Sequence, residues 1–157
     1  MGSFTARSVK THRVMGNIIL CDIDGTVADN SHRQHFLEGK KDWEGFFSNL
    51  VDDIPILPVI EHINKEHNRG KEIFFVTGRP QRYKYGTSIW LATHFKFELN
   101  ILMRPDGDQR NKLKVKEDIF KKSFTKQQID YVIDNDDDLI LMWTKIGIKA
   151  KNVKEFL

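Results

Sequence analysis

The sequence is poor in the features that secreted and membrane proteins need. Cysteine occurs once, at Cys21, so no internal disulfide can form and a reducing compartment is favoured. No apolar run approaches the roughly 18 residues of a membrane-spanning helix. The first sixteen residues also lack the apolar core of a signal peptide. We therefore expect a cytoplasmic protein with no membrane partner.

Neither sign of charge is in large excess. The formal net charge is +3, a mildly basic balance that permits an anionic partner, such as a phosphate ester or a nucleic acid end, without requiring one. A length of 157 residues suits one domain. Residues 1–16 are basic and have little apolar periodicity, so we expect a flexible arm there and a single domain at residues 17–157.

The most informative stretch is an apolar segment, residues 17–21, that ends abruptly in Asp-Ile-Asp-Gly-Thr at residues 22–26. An apolar run without alternation predicts a strand that is buried on both faces, as in a parallel sheet covered by helices. Two carboxylates one residue apart, Asp22 and Asp24, would repel each other unless a cation or a proton held them. The strand end is therefore a candidate functional site.

Segments with helical periodicity alternate with short buried strands along the rest of the chain. This alternation predicts an α/β fold, a Rossmann-like doubly wound parallel sheet between helices. Residues 28–53 should add a small helical cap, in which Trp43, Phe46 and Phe47 either pack the cap onto the sheet or stack a base. The predicted helices are 56–68, 80–95, 112–124 and 139–146, and the further strands are 72–76, 99–103, 131–133 and 148–153.

Three of the predicted strands end in polar residues. Asp22 and Asp24 follow the first strand, Thr77 and Arg79 follow the second, and the Asp-Asn-Asp-Asp-Asp segment at residues 134–138 follows the strand at 131–133. The carboxyl ends of parallel strands meet at one edge of a sheet. A single site at that edge is the economical interpretation.

Oxygen ligands dominate the predicted site. Without clustered cysteines or paired histidines, a group of carboxylates favours Mg²⁺ over zinc. Magnesium commonly bridges to phosphate oxygens, and a carboxylate can itself accept a phosphoryl group. The pattern therefore predicts Mg²⁺-dependent phosphoryl chemistry.

Residues 22–26 resemble the first motif of the haloacid dehalogenase-like (HAD) phosphohydrolases. Thr77, Lys116 and Asp134 are similar to the second, third and fourth motifs of that family, each in the matching strand or helix context. The resemblance extends from about Asn17 to Val153. It implies the HAD-like fold and phosphatase activity.

The resemblance also implies roles for individual residues. Asp22 would attack phosphorus and bind Mg²⁺ through its other oxygen. Asp24 would donate a proton to the leaving oxygen and later accept one from water, while its backbone carbonyl reached the metal. Thr77 and the amide of Gly78 would bind phosphoryl oxygens at a helix start. Lys116 would neutralise charge on Asp22 and on the transferring group.

Four segments are similar to the phosphatase half of the bacteriophage polynucleotide kinase/3′-phosphatase family. Arg33 and Arg79 match two arginines that serve phosphate or substrate binding in that family, and Arg104 is a third candidate. The four segments are residues 103–106, 116–120, 132–135 and 142–147.

Three departures from that family are visible. No Gly-x-x-x-x-Gly-Lys-Ser/Thr motif occurs, so 5′-phosphorylation is not expected. The acidic pair of the fourth motif is Asp134-Asn135 here. We expect Asp134 to bind the metal together with Asp22 and Asp24, and the second metal ligand of this motif is open between Asn135 and Asp138. An aspartate four residues before the motif lysine is replaced by Lys112, which puts the orientation of Lys116 in question.

These patterns lead to one preferred function and two alternatives. The preferred function is a Mg²⁺-dependent phosphomonoesterase that works through an aspartyl-phosphate and removes 3′-phosphates from nucleic acid ends or nucleotides. The first alternative is a 5′(3′)-nucleotidase acting on mononucleotides. The second is a non-catalytic module that binds phosphate or nucleic acid ends. No protein partner can be predicted.

Overall fold

A five-stranded parallel sheet forms the centre of the protein in a computed structural model that describes residues 15–157. The strand order is β5-β4-β1-β6-β7, with β1 at the centre. The predicted α/β fold is confirmed, whereas the predicted arm lies outside the described residues except for Met15 and Gly16. The strands are β1 Ile18–Cys21, β4 Glu72–Pro80, β5 Ile101–Arg104, β6 Ile129–Asp134 and β7 Ala150–Asn152.

Alternating side chains of β1 build two hydrophobic cores, one on each face of the sheet. Ile19 and Cys21 point into the core covered by helices α2 (Leu57–Asn68) and α3 (Lys84–His94). Ile18 and Leu20 point into the other core, which is covered by helices α4 (Lys112–Ser123) and α5 (Asp137–Lys145). All four side chains of β1 are fully buried, which explains the uninterrupted apolar run in the sequence.

The segment between β1 and α2 forms the small cap. Strand β2 (Ala28–Asp29) pairs antiparallel with β3 (Ile54–Pro55) and closes the base of the cap. Between these strands lie helix α1 (Trp43–Ser48) and two short 3₁₀ helices, Ser31–Leu37 and Leu50–Asp52. Phe46 and Phe47 are buried in the cap, whereas Trp43 is 47% exposed.

The largest error of the sequence prediction concerns the end of the second predicted strand. Pro80 was expected to start a helix, but its ψ angle of 145° keeps it extended, and β4 continues to this residue. A short 3₁₀ turn, Gln81–Tyr83, then leads into α3 at Lys84. The pairing of β4 with β5 shifts register between Thr77 and Pro80, so this part of β4 is an irregular strand rather than a helix start.

A further difference between the predicted and the observed strands is small. The last strand spans only Ala150–Asn152 instead of residues 148–153, because a 3₁₀ turn, Val153–Phe156, begins directly after it. Another 3₁₀ turn, Lys126–Gln128, precedes β6. Within residues 15–157, no helix combines the length and the apolar character needed to cross a membrane.

Candidate active site

The carboxyl ends of the three central strands bring the predicted motif residues together. Strands β4 and β6 flank β1, so the residue after β1, Asp22, lies between Thr77 of β4 and Asp134 at the end of β6. All three side chains are buried, with exposures of 7%, 0% and 1%. The predicted meeting of strand ends is therefore present in the fold.

Lys116 reaches this edge from α4 and joins two of the carboxylates. Its Nζ lies 2.7 Å from Asp22 Oδ1 and 3.0 Å from Asp134 Oδ2. Burial alone would lower the pKa of Lys116, but Asp22 and Asp134 outweigh burial and raise it, so the ammonium stays charged. Burial and Asp134 raise the pKa of Asp22 to about 7, although Lys116 opposes this shift. A further cation would therefore favour the ionised form of Asp22.

The second oxygen of Asp22 faces polar groups of two loops. Asp22 Oδ2 accepts a hydrogen bond of 2.9 Å from the Thr26 hydroxyl. One terminal atom of the Asn135 amide lies 3.1 Å from the same oxygen and 3.2 Å from the backbone carbonyl oxygen of Asp24. If this atom is the nitrogen, it donates hydrogen bonds to both oxygens. If it is the oxygen, it lies within 3.2 Å of two further oxygens, those of Asp22 and of the Asp24 carbonyl.

That arrangement fits the donor set of Mg²⁺. Neighbouring oxygens around an octahedral Mg²⁺ bound at about 2.1 Å are separated by about 3 Å, close to the spacings seen here. Among the described residues, no group of three His, Cys, Asp or Glu side chains is arranged to hold a metal. The oxygens that fit Mg²⁺ come instead from the Asp22 carboxylate, the Asn135 side-chain amide and the backbone carbonyl of Asp24, and all three are hard ligands.

Gly25 allows this close approach. It has a positive φ angle of 79°, which favours glycine, and a Cβ atom built there would overlap the Asn135 amide. The glycine of the Asp-Ile-Asp-Gly-Thr motif is therefore explained by backbone conformation and by space for Asn135.

The structure distinguishes the two candidate metal ligands, Asn135 and Asp138. Asp138 is exposed in the first turn of α5, where its amide donates to the side chain of Asp136. Asp136 caps this helix, and it also forms an ion pair with Lys112. Of the two candidate ligands, Asn135 is the one whose amide lies beside Asp22 and Asp24, at 3.1 and 3.2 Å.

The Asp24 carboxylate is held by two arginines and not by Lys116, the cation that pairs with Asp22. Arg79 donates to both of its oxygens, from Nε at 2.9 Å and from Nη2 at 2.8 Å, and Arg33 Nη2 donates to Oδ1 at 2.6 Å. Burial would raise the pKa of Asp24, but Arg79 and Arg33 more than offset burial and hold it at about 2. In this arrangement Asp24 is an anion, not a proton donor.

Both arginines are themselves buried and share a second carboxylate, Asp53. Arg33 is 0% exposed and Arg79 is 1% exposed. Arg33 binds Asp53 through Nε (2.7 Å) and Nη2 (2.8 Å), and Arg79 adds a contact of 3.2 Å. His32 Nε2 lies 2.8 Å from Asp53 Oδ1. The geometry directs both guanidinium groups to carboxylates, and the phosphate-binding role expected from the sequence stays a prediction.

Sequence reasoning missed Asp53. It belongs to no motif and lies at the end of the cap, directly before β3. The charge balance of the site could have indicated it. Arg33 and Arg79 were both predicted near Asp24, and two buried arginines beside one aspartate need a second anion, because an unpaired buried charge is very costly. Asp53 supplies that anion and ties the cap to Asp24.

We predict that Asp53→Asn destabilises the protein by about 2–3 kcal/mol, because an amide cannot accept all the charged hydrogen bonds from Arg33 and Arg79. Urea unfolding followed by circular dichroism measures the change. The matched control is Asp52→Asn, since Asp52 is the exposed neighbour and its replacement should cost less than about 0.5 kcal/mol. Equal stability of the two variants would contradict a structural role for Asp53.

Thr77 and Gly78 lie inside the irregular part of β4 rather than at a helix start. The Thr77 hydroxyl accepts a hydrogen bond of 3.1 Å from the backbone amide of Arg79. The carbonyl of Gly78 accepts a hydrogen bond of 2.8 Å from Arg104 Nε. The expected phosphate site at a helix N-terminus is therefore wrong in its structural context, because the extended Pro80 delays the helix. Binding of phosphate by these residues stays a prediction.

A cleft of about 770 Å³ begins beside Gly78 and runs between the cap and the loop that connects β5 to α4. Trp43 and Phe47 line its cap side, and Arg104 and Arg110 line its loop side. Arg104 was predicted to bind substrate, and its guanidinium also contacts backbone carbonyls of this loop. The cleft is large enough for a nucleotide-sized ligand.

Comparisons with known proteins agree with this geometry. Residues 16–156 match the family described as the polynucleotide kinase PNKP phosphatase domain. A chain of the Pnkp1/Rnl/Hen1 RNA repair complex is similar in structure, with a TM-score of 0.73, 20% sequence identity and coverage of 88% of this chain and 42% of that chain. A class C acid phosphatase from Bacillus anthracis with tungstate bound gives a TM-score of 0.55 and 19% identity, covering 79% of this chain and 54% of that chain.

The structural similarities show the fold, and the family match covers nearly the whole described chain. This chain spans less than two thirds of either structural relative. No curated protein sequence matches it. On the family match, the chain belongs to the polynucleotide kinase PNKP phosphatase domain family and is a HAD-like phosphatase.

Proposed function

We propose that the domain is a Mg²⁺-dependent phosphomonoesterase that forms an aspartyl-phosphate on Asp22 and removes 3′-phosphates from nucleic acid ends or nucleotides. The observation that carries the proposal is the fixed position of Asp22. Lys116 holds one of its oxygens at 2.7 Å and Thr26 holds the other at 2.9 Å. A carboxylate held in this way is a preorganised nucleophile.

In the first step, an oxygen of Asp22 forms a bond to phosphorus while the bond between phosphorus and the leaving oxygen breaks. Asp22 Oδ1, beside Lys116, is the attacking atom in this proposal, because Oδ2 is engaged by the Thr26 hydroxyl and lies beside the Asn135 amide. Lys116 offsets the negative charge that gathers on the transferring group. In the second step, water attacks phosphorus, inorganic phosphate leaves, and Asp22 is restored.

Asp24 is the proposed carrier of the proton in both steps. A pKa of about 2 leaves almost no protonated Asp24 near neutral pH. The carboxylate is thus suited to accept a proton from the attacking water. To donate a proton to the leaving oxygen, Asp24 must first loosen its contacts with Arg33 and Arg79 and take up a proton from solvent, and we propose that substrate binding allows this. The carboxylate left after that donation accepts the proton of the attacking water, so the proton balance closes over the two steps.

Asp22, Asn135 and the backbone carbonyl of Asp24 are the residues that would hold Mg²⁺. When bound there, Mg²⁺ supplies positive charge that stabilises the transferring phosphoryl group. Asp134 contacts Lys116 at 3.0 Å, and we propose that it acts on this site through the lysine. Its expected role as a direct metal ligand stays a prediction.

The preference for 3′-phosphate ends rests on the family of the domain and on the cleft beside Gly78. The similar Pnkp1 chain belongs to an RNA repair complex, which makes a phosphorylated nucleic acid end a reasonable substrate for this chain. We propose that residues 17–157 act as one domain and that residues 28–53 cover its site.

A substrate panel tests the proposal. The domain should release inorganic phosphate from 3′-phosphorylated oligonucleotides faster than from 5′-phosphorylated oligonucleotides or 5′-mononucleotides. Turnover should require Mg²⁺, stop with EDTA and return when Mg²⁺ is added in excess. Asp52→Asn, which changes an exposed carboxylate, should behave like the unaltered chain.

The possible results separate the alternatives. A preference for 5′-mononucleotides would replace the proposed function with that of a nucleotidase. Turnover that is unchanged by EDTA would exclude the metal requirement.

A further inference from the structure

The cleft beside Gly78 has features that phosphate release alone does not need. Four basic side chains and one acidic side chain line it: Arg82, Arg104, Arg110, Lys112 and Asp108. Asp22 and Lys116 do not line this cleft, which therefore lies beside the reacting groups and shares with the predicted site the residues Gly78 and Arg104. Its charge suits a polyanion longer than a single phosphate.

The cap side of the cleft presents one aromatic ring to solvent. Trp43 is 47% exposed, although its neighbours Phe46 and Phe47 are buried. Its ring stacks on Phe47 with a centroid distance of 5.9 Å and an angle of 20°, and it meets the edge of Phe46 at 5.9 Å. Phe47 in turn contacts Tyr83 at 5.1 Å. These contacts hold the indole in place, Lys41 Nζ lies 5.6 Å from its ring centroid, and the residue stays 47% exposed.

The loop side of the cleft is preformed. The guanidinium of Arg104 donates to three backbone carbonyls, those of Gly78 (2.8 Å), Asp108 (3.0 Å) and Arg110 (2.6 Å). Arg104 thus ties the loop to β4. A wall that is already in place loses little conformational entropy when a ligand binds.

Arg82 and Arg110 are exposed charges of this wall. Their side chains are 54% and 49% exposed; Arg82 pairs with Asp106, and Arg110 pairs with Asp108 and Asp118. Exposed ion pairs of this kind contribute about 0–1 kcal/mol, so a phosphate can replace the carboxylate at small cost. Both arginines are available to an anionic ligand.

We propose that this cleft binds single-stranded nucleic acid: the nucleoside that carries the scissile phosphate stacks on Trp43, and an adjacent backbone phosphate binds Arg82 and Arg110. The inference deepens the proposed function and rests on it. A single strand is favoured because stacking needs an unpaired base with an exposed face. The domain should therefore prefer an oligonucleotide of two or more nucleotides over a 3′-mononucleotide.

Direct binding separates this inference from the catalytic proposal. The probe is a fluorescein-labelled tetranucleotide with a free 3′-hydroxyl, and its binding is measured by fluorescence anisotropy. Trp43→Ala should weaken binding about 5- to 100-fold, the range for loss of one base stack. Trp43→Phe should recover most of the affinity, because it keeps an aromatic ring on the cap. Tyr85→Ala removes an aromatic side chain that is 81% exposed outside the cleft, and it should bind as tightly as the unaltered chain.

The salt dependence of binding measures the contribution of the arginine charges separately. For a single strand, log K falls with log salt concentration by about 0.7 for each phosphate neutralised. Arg82→Ala combined with Arg110→Ala should therefore reduce the magnitude of this slope by about 0.7–1.4. Lys154→Ala, at an exposed lysine outside the cleft, should leave the slope unchanged.

Three outcomes would overturn the inference. They are equal binding by Trp43→Ala and Tyr85→Ala, equal binding of an abasic tetramer and the probe, and tighter binding of a blunt duplex than of the single strand. Hydrolysis of p-nitrophenyl phosphate by the unaltered chain tests the phosphatase chemistry separately. Failure of that hydrolysis would count against the proposed function alone, and anisotropy would still decide the role of the cleft.

Discussion

Asp22→Asn is expected to lower the rate of phosphate release by about 10⁴-fold or more, the scale seen when an enzyme loses its nucleophile. An amide oxygen is a poor nucleophile and cannot form the aspartyl-phosphate. The substitution is nearly isosteric: the amide oxygen can still accept from Lys116, and the new NH₂ group can face the Thr26 hydroxyl. Steady-state phosphate release at saturating Mg²⁺ measures the loss.

The same variant makes a second, independent prediction about stability. With a pKa of about 7 in the folded chain, Asp22 binds its proton more tightly there than in the unfolded chain, where Asp has a pKa of about 4. Without metal, stability should therefore fall as pH rises from about 4 to 7. Asp22→Asn cannot ionise, so its free energy of unfolding should lack this part of the decline.

Two controls make the result interpretable. Asp52→Asn should retain full activity, because Asp52 is exposed outside the site. Acid-quenched mass spectrometry should detect a phosphorylated species in the unaltered chain during turnover and none in Asp22→Asn. Residual activity of Asp22→Asn within tenfold of the unaltered chain would show that Asp22 is not the nucleophile.

The sheet was predictable because its central strand carries an uninterrupted signal. Ile18 to Cys21 are buried on both faces, and no polar residue breaks the run. The position of Asp22 follows from this strand, since its last apolar residue fixes where the chain leaves the sheet. The meeting of Thr77 and Asp134 with Asp22 follows from parallel pairing alone.

Lys116 was harder to predict, because α4 also contains Lys112, Lys114, Lys121 and Lys122. Helical spacing puts Lys116 on the same face as Leu113 and Phe120, but a lysine on an apolar face is not by itself a sign of a buried catalytic charge. Only the motif resemblance selected Lys116, and the structure places it at 3% exposure between Asp22 and Asp134. Lys112, which replaces an aspartate of the phage family, instead pairs with Asp136.

The partners of Asp24 could not be predicted from the sequence because they come from distant segments. Arg33 and Asp53 belong to the cap, whereas Arg79 belongs to β4. Which guanidinium faces a carboxylate and which faces solvent depends on how the cap sits on the sheet. No local pattern encodes that placement, and residue type alone suggested phosphate binding for both arginines.

The structure also explains how Asp22 and Asp24 can lie close together despite their like charges. Asp22 is paired with Lys116, while Asp24 is paired with Arg33 and Arg79. Each carboxylate has its own cations, so neither depends on sharing a single charge. Asp22 and Asp24 therefore differ in pKa, at about 7 and about 2. In the proposed mechanism a cation beside Asp22 favours its ionised form, and looser arginine contacts let Asp24 take up a proton.

Lys116→Met is expected to lower the rate of phosphate release by about 10²–10³-fold, comparable to the loss of one preorganised charge in other active sites. Methionine keeps most of the length and apolar surface of the lysine but cannot donate to Asp22 or Asp134. Lys116 lowers the pKa of Asp22, so its removal should raise that pKa. The acidic limb of the pH–rate profile should accordingly move to higher pH.

Lys114→Met is the matched control, because Lys114 is an exposed lysine on the same helix. It should leave both the rate and the pH profile unchanged. Thermal unfolding of Lys116→Met with and without Mg²⁺ tests folding: two buried carboxylates without their ammonium should destabilise the metal-free chain, and bound Mg²⁺ should restore part of the loss. A fall in rate without any shift of the acidic limb would mean that Lys116 acts on the transferring phosphate and not through the ionisation of Asp22.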